Sequence, residues 1–421
     1  MQEGVDVAEW EPAYAQRAER MRSSEIRELL RLLDRSGIIS FAGGIPDPGL
    51  FPARQAQAAF AAVLHDASSA RIALQYSLSE GYGPLRSWIV RHMGSLGVAC
   101  GEDNVIITSG AQQALEFLGR LLLSAGDTAL VTAPTYLGAL QAFAAYEPRY
   151  DELRPELSNR TPRSYADAAR AAGGRVKLLY IVPDFANPTG ATLSRLARER
   201  LLDLAGELDV PVIEDAAYAA LRFEGEPLAS ITALEVARRG SIDKARAIYC
   251  GTFSKVLSPG LRVGWIVAPK PLIRRLVLVK QACDLNCSSI NQMVMHRLAE
   301  TAFEPQLESA RSHYRKRRDA MLAALAQHMP PGVSWTKPSG GLFVWVRLPE
   351  HLDGRELLDC ALNAEGVAFV PGAGFFFEDR GRNTLRLSYS LASEAQIQEG
   401  IARLARLIAA QAQPSQRQGP R

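Results

Sequence analysis

The sequence predicts an α/β protein, with a large domain built on a mostly parallel sheet between helices and a smaller α/β domain after it. Three observations point there. The 421 residues exceed what one small core organises. From about residue 100 to residue 250, short β-rich apolar runs alternate with helical segments. Those runs lack polar alternation, as strands buried on both faces do. Beyond about residue 295 the pattern changes to a long charged helix followed by closely spaced strands.

In chain order, Ser23 to Leu33 reads as an amphipathic helix with a serine cap. Ile38 to Phe41 reads as a short strand ending in the turn Gly43-Gly44-Ile45-Pro46. Strands are then expected at Val105–Thr108, Ala129–Val131, Leu178–Val182, Val210–Ile213 and Ala247–Cys250. In the last third, the helix is expected over Leu307–His328, with strands at Gly341–Val346, Val367–Val370 and Leu385–Ser388 of an antiparallel sheet. The division that results is an N-terminal helix and arm over 1–50, a large domain over 51–294 and a small domain over 295–410. The polar, proline-bearing stretch 411–421 reads as a disordered tail.

Apolar residues are 47% of the chain, charged residues 22%, and the net charge is +3. That balance, without a basic cluster, gives no nucleic-acid footprint. The N-terminus carries acids and no apolar core, unlike a secretory signal, and no run approaches the ~20 apolar residues that span a bilayer. The five scattered cysteines do not form a disulfide framework. Cys283 and Cys287 have helical i, i+4 spacing, but no further Cys or His pair completes a metal site, and none is expected. A soluble, reduced, cytoplasmic setting follows.

Four features carry chemistry, each at the carboxyl end of an expected strand, where open α/β sheets place their ligands. They are Asn187-Pro188-Thr189-Gly190, Asp215-Ala216-Ala217-Tyr218, Gly251-Thr252-Phe253-Ser254-Lys255, and Pro259-Gly260-Leu261-Arg262-Val263-Gly264-Trp265. Each alone has a plain structural explanation: a turn, a helix cap, a surface pair. Together, in this order and with Lys255 lying 40 residues after Asp215, they mark one site.

On these features the chain resembles the fold-type I, pyridoxal phosphate-dependent aminotransferases of class I/II, over about Ser23 to Leu407. It is most similar to the group of 2-aminoadipate and kynurenine aminotransferases. The likeness rests also on Phe41-Ala42-Gly43-Gly44, Gln75-Tyr76-Ser77, Gly81-Tyr82-Gly83-Pro84-Leu85-Arg86 and Ser258-Pro259. The resemblance implies pyridoxal 5'-phosphate bound to Lys255 as a Schiff base, with the freed amine moving the substrate proton. It implies Asp215 against the pyridine nitrogen, Tyr218 and Asn187 at the ring oxygen, and Tyr136 stacked on the ring.

For the phosphate, the resemblance implies the backbone of Ser109-Gly110-Ala111-Gln112 at a helix start, with Thr252, Ser254 and Arg262. Many relatives carry serine where Thr252 stands, and the hydroxyl is kept. Tyr76 resembles a tyrosine that reaches the neighbouring subunit's phosphate, which implies a homodimer with shared sites. For substrate, Arg386 resembles the arginine that grips the α-carboxylate, and Gly44 the glycine that lets the backbone approach. Arg27 has two readings, a reader of a distal acidic group and a member of a solvated helix face.

The activity implied is ping-pong transfer of an amino group from an L-amino acid to a 2-oxo acid, with 2-oxoglutarate the expected acceptor. A β-eliminating carbon–sulfur lyase on the same scaffold is the alternative, and an aminotransferase-like regulatory domain is a remote one. Aromatic and aminoadipate-like donors stand level: Trp345, Phe375, Phe376 and Phe377 offer apolar surface, while Arg27 offers charge.

Overall fold

The computed structural model describes residues 10–15, 17–18 and 37–412. The helix expected over Ser23–Leu33, Arg27 within it, and the tail beyond Ala412 lie outside the described residues.

The strands of the first half are β1 (Ile39–Ser40), β2 (Val105–Thr108), β3 (Thr128–Thr132), β4 (Arg149–Leu153), β5 (Val176–Ile181) and β6 (Val212–Asp215). Those that follow are β7 (Ala247–Thr252), β8 (Gly264–Val267), β9 (Ser334–Trp335), β10 (Phe343–Arg347), β11 (Val367–Ala368), β12 (Val370–Pro371) and β13 (Thr384–Ser388). Among the described residues they form three sheets.

The central sheet has the spatial order β2-β8-β7-β6-β5-β3-β4. From β7 to β4 every pairing is parallel, while β8 runs antiparallel to both its neighbours. Both faces are covered, and the strand sequences say why. Leu178, Tyr180 and Val182 join one core cluster with Ile213, whereas Leu179, Ile181 and Val212 turn into a second. With apolar packing on either side there is no polar face to alternate with. Each such fully buried Leu or Ile contributes about 1.5–3 kcal/mol.

Two strands of this sheet were not evident in the sequence. β4 (RYDEL) is an edge strand, half polar because one side faces water. β8 is a short apolar run that follows Arg262 closely and reverses direction, so the alternating strand-helix rhythm misses it.

The smaller sheet is antiparallel in the order β12-β13-β10-β9. The run Val367–Val370 supplies two strands to two sheets, because β11 pairs in parallel with β1 instead. That pairing carries the N-terminal arm into the second half of the chain. Phe41 donates its N–H to the Ala368 carbonyl at 2.7 Å and accepts from Ser388 at 2.8 Å. Further along the arm, the Asp47 carboxylate meets His313 at 3.0 Å and Arg317 at 2.8 Å, and its N–H donates to the Tyr314 hydroxyl.

Those three anchors sit on a helix that spans Ser289–His328, starting 18 residues before the expected Leu307. Pro305 breaks the sequence signal without ending the helix. The change of character expected near residue 295 therefore falls inside this helix. No described helix is long and apolar enough to cross a membrane.

Candidate active site

Three strand ends and the N-terminal arm meet over the carboxyl edge of the central sheet. Asp215 closes β6, Lys255 follows β7, Asn187 lies on the turn after β5, and the arm brings Gly44. Arg386, on β13, reaches in from the smaller sheet. Residues separated by up to 342 positions thus share one cleft, and each backbone link is a strand or a tight turn.

Asp215 is 3% exposed. Its Oδ2 accepts from the Tyr180 hydroxyl at 2.9 Å and its Oδ1 from the Ala217 N–H at 3.3 Å. Burial pushes its pKa up, while the Tyr180 bond, the Ala217 amide and the Lys255 charge oppose that rise. The carboxylate is therefore aimed and partly compensated, and it has capacity for a further cationic partner.

The Lys255 amine donates to the Gly44 carbonyl at 3.2 Å and lies 5.5 Å from the Tyr218 ring centroid. Burial first, then the charges of Arg386 and Arg262, pull its pKa down to about 8. An amine in that state is a nucleophile and a proton carrier near neutral pH. Tyr218 is held neutral by burial, and its hydroxyl is hydrogen-bonded by Asn187.

Arg386 is 1% exposed, which rules out a solvated strand face. Its Nη1 donates to Asn187 Oδ1 at 2.9 Å and its Nη2 to the Ala42 carbonyl at 2.6 Å. The guanidinium lies between two rings, 4.4 Å from the Phe343 centroid and 5.2 Å from that of Phe375. Burial lowers its pKa to about 10, so it stays charged at neutral pH. Among the described residues its buried Nε has no hydrogen-bond partner. A buried cation with one orphaned donor is a ready carboxylate receptor.

Gly44 packs so closely that a Cβ there would sit 2.5 Å from Phe343 Cζ. Only glycine lets this stretch lie against the ring.

A second cluster suits an anion. Gly110, at φ 83°, precedes the helix Ala111–Leu122, whose first amides are free of helical partners. A Cβ on Gly110 would sit 2.6 Å from Arg262 Nη2. Arg262, itself at φ 55°, donates to the Ser109 carbonyl at 3.1 Å. The hydroxyls of Thr252 and Ser254 are 2.9 Å apart on the neighbouring loop. Gln112 bonds the Gly138 carbonyl at 2.6 Å and lies 3.4 Å from the Tyr136 hydroxyl, so its side chain buttresses that ring.

The turn with Asn187 is held from behind. Arg198, wholly buried, donates to Asp184 at 2.8 Å and to the carbonyls of Pro183, Leu193 and Ala229. Arg222 donates to the same Asp184 oxygen at 2.8 Å.

Lys255, Asp215, Tyr218, Asn187, Gly44 and Arg386 are thus brought together, and Gly110, Ala111, Gln112, Thr252, Ser254 and Arg262 make up the cluster suited to an anion. Tyr76 is not brought in: it is 78% exposed, between Leu74 at 75% and Leu78 at 68%. Arg27 lies outside the described residues. Of the aromatics noted in the sequence, Phe375 lies on Arg386, while Trp345 is a layer behind, edge-on to Phe375 at 5.8 Å.

Sequence reasoning missed Tyr180 and Phe343. The only signal for Tyr180 was a hydroxyl inside the otherwise aliphatic run Leu178–Val182. Phe343 gave none, since an aromatic in a strand reads as core.

A group with an aldehyde, a basic ring nitrogen and a phosphate fits these residues: the amine, the buried carboxylate and the cradle are each matched to one of its parts. The comparisons agree. The model of the family "Aminotransferase class I and II" matches residues 37–404. An aromatic-amino-acid aminotransferase of Thermococcus litoralis is 40% identical over 405 residues, covering 95% of each chain. A 2-aminoadipate transaminase of Thermus thermophilus is 42% identical over 399 residues, 95% of this chain and 97% of the relative. The solved structure of a Pyrococcus horikoshii kynurenine aminotransferase, in complex with PMP, superposes with a TM-score of 0.88 at 40% identity. It covers 96% of this chain and 98% of that one.

Proposed function

Because the chain belongs to the class I and II aminotransferases, and so is a pyridoxal 5'-phosphate enzyme, we propose that it passes the amino group of an L-amino acid to a 2-oxo acid by a ping-pong cycle. The donors are aromatic, aminoadipate-like or bulky aliphatic amino acids, and the acceptor is 2-oxoglutarate. The names of the two relatives support the aromatic and aminoadipate-like donors, and the aromatic wall around Arg386 supports apolar ones.

The observation that carries this reading is the convergence of a low-pKa amine, a buried carboxylate and a buried arginine with one unused donor. When bound, the cofactor supplies a carbonyl carbon for the amine and a ring that accepts electrons. Lys255 would hold it and, once freed by substrate, would carry a proton to and from the substrate's α-carbon. Asp215 would keep a positive charge on the ring nitrogen. Tyr218 and Asn187 would serve the ring oxygen, and Tyr136 the ring face. Gly110, Ala111, Gln112, Thr252, Ser254 and Arg262 would hold the phosphate. Arg386 grips the substrate α-carboxylate, with Asn187 holding the guanidinium and Gly44 opening the approach.

The exposed strip of Leu74, Tyr76 and Leu78 supports a homodimer in which Tyr76 completes the partner's phosphate site. We read the chain as an arm over 1–50, a cofactor domain over 51–294, a small domain over 295–410 and a tail, working in the cytoplasm.

The test is the visible spectrum of the purified protein titrated with amino acids. Bleaching of the cofactor band by some donors, and its return on adding 2-oxoglutarate, is the expected result. Bleaching that yields pyruvate and ammonia would make the protein a lyase.

A further inference from the structure

The strand β5 places a phenol where the packing asks only for a ring. Tyr180 is fully buried, opposite Ile213 of β6 in the parallel register. Side chains two apart on a strand share a face, so Ile213 and Asp215 project together and the Tyr180 hydroxyl reaches Asp215 diagonally. Its Oη lies 2.9 Å from Asp215 Oδ2. The ring itself is packed edge-on against Phe143, with centroids 5.8 Å apart at 85°. Phenylalanine would fill that space equally well, so the hydroxyl is explained by the carboxylate and not by the core.

We propose that Tyr180 is a positioning residue for the cofactor: its hydroxyl fixes the orientation of the Asp215 carboxylate and holds it as the anion that pairs with the ring nitrogen. The proposal deepens the function argued above and rests on Asp215 facing that nitrogen. A buried carboxylate without donors is driven toward its neutral acid, which pairs weakly with a cation. Among the described residues Asp215 has two hydrogen-bond donors, and the Ala217 amide at 3.3 Å is the longer contact. Of the protein groups that oppose burial at Asp215, the Tyr180 hydroxyl has the largest effect, ahead of the Ala217 amide and the Lys255 charge. Tyr218, Tyr249 and Cys250 also interact with Asp215, but burial holds each of them neutral, so none of the three replaces it.

The test is Tyr180→Phe, read first in cofactor-free protein through the infrared carboxyl band of Asp215, assigned by its loss in Asp215→Asn. The variant is expected to raise the Asp215 midpoint by about one pH unit or more, a charge-assisted hydrogen bond having been removed. The cofactor dissociation constant is then measured by fluorescence in a double-mutant cycle. Tyr180→Phe is expected to weaken binding roughly tenfold in the Asp215 background and not at all in Asp215→Asn, because the effect acts through the carboxylate. Equal losses in both backgrounds, or an unmoved Asp215 midpoint, overturn the proposal. Should Tyr180→Phe not fold, 3-fluorotyrosine at position 180, a more acidic donor, is expected to lower the midpoint, and no shift overturns the idea. A wild-type protein that transaminates beside such negative results leaves the proposed function standing and removes only Tyr180.

Discussion

Arg386 Nη1 donates to Asn187 Oδ1 at 2.9 Å, joining a strand of the smaller sheet to a turn of the larger one across the substrate cleft. The asparagine thereby bonds two partners at once, the guanidinium through its oxygen and the Tyr218 hydroxyl through its amide. The Arg386 guanidinium and the Tyr218 hydroxyl are thus set by one side chain.

Arg386→Lys keeps the charge but loses the fork held by Asn187 and Ala42. We expect kcat/KM for amino acids to fall by about 2–5 kcal/mol, with most of the loss in KM. Steady-state kinetics with a donor and with its decarboxylated amine checks this. The amine should be nearly indifferent to the substitution, and an equal loss for both would remove Arg386 from carboxylate recognition.

Lys255→Ala should abolish turnover and the protein-bound cofactor band while far-ultraviolet circular dichroism stays unchanged. Among the described residues its amine bonds the Gly44 carbonyl alone, so little else depends on it. A yellow variant with full activity would exclude the assignment.

Capture of cofactor requires the neutral Lys255 amine, whose pKa lies at about 8. The rate of reconstitution should therefore climb about tenfold per pH unit below pH 8 and level off above it. Linkage has the same sign. Between about 8 and the ordinary 10.5 the unfolded lysine holds a proton that the folded one has lost, so the group adds to stability as pH rises. Stopped-flow absorbance decides, and a midpoint near 10.5 would mean that the amine is not perturbed.

Gly110→Ala places a Cβ against Arg262 at a positive φ. Strain at such a backbone position costs about 1–3 kcal/mol, and here the arginine must also move. We expect cofactor affinity to drop by roughly tenfold or more, with a smaller change in KM for amino acids. Equilibrium dialysis measures the first and kinetics at saturating cofactor the second.

Tyr76→Ala and Lys255→Ala, each inactive, should complement when refolded together. A mixed dimer holds one site with neither lesion, so about a quarter of all sites should recover. No recovery would place Tyr76 outside a shared site.

Much of this was legible in the chain. β2 was located to the residue, and β5, β6 and β7 to within two at either end, because strands buried on both faces leave unbroken apolar runs. Lys255, Asp215, Asn187 and Arg262 were legible because their chemistry needs fixed residue types in a fixed order. Less was legible where signals are ambiguous. Pro305 concealed the front of the helix Ser289–His328, and the polar β4 looked like loop because an edge strand meets water. Tyr76 matched a phosphate-site tyrosine in the sequence, yet in the single chain it points outward.

Local pattern and residue type were enough to mark the strand ends of the central sheet and to single out Lys255, Asp215 and Asn187 there as candidates for chemistry. How these groups act on one another became visible with the packed fold alone. That Tyr180 donates to Asp215, that Arg386 lies between Phe343 and Phe375, and that the arm delivers Gly44 to Lys255 are contacts between residues 11 to 211 positions apart. The physical reason is burial. Hydrogen-bond partners and pKa values depend on what surrounds a group once water is removed, and that neighbourhood exists only after the sheets have packed.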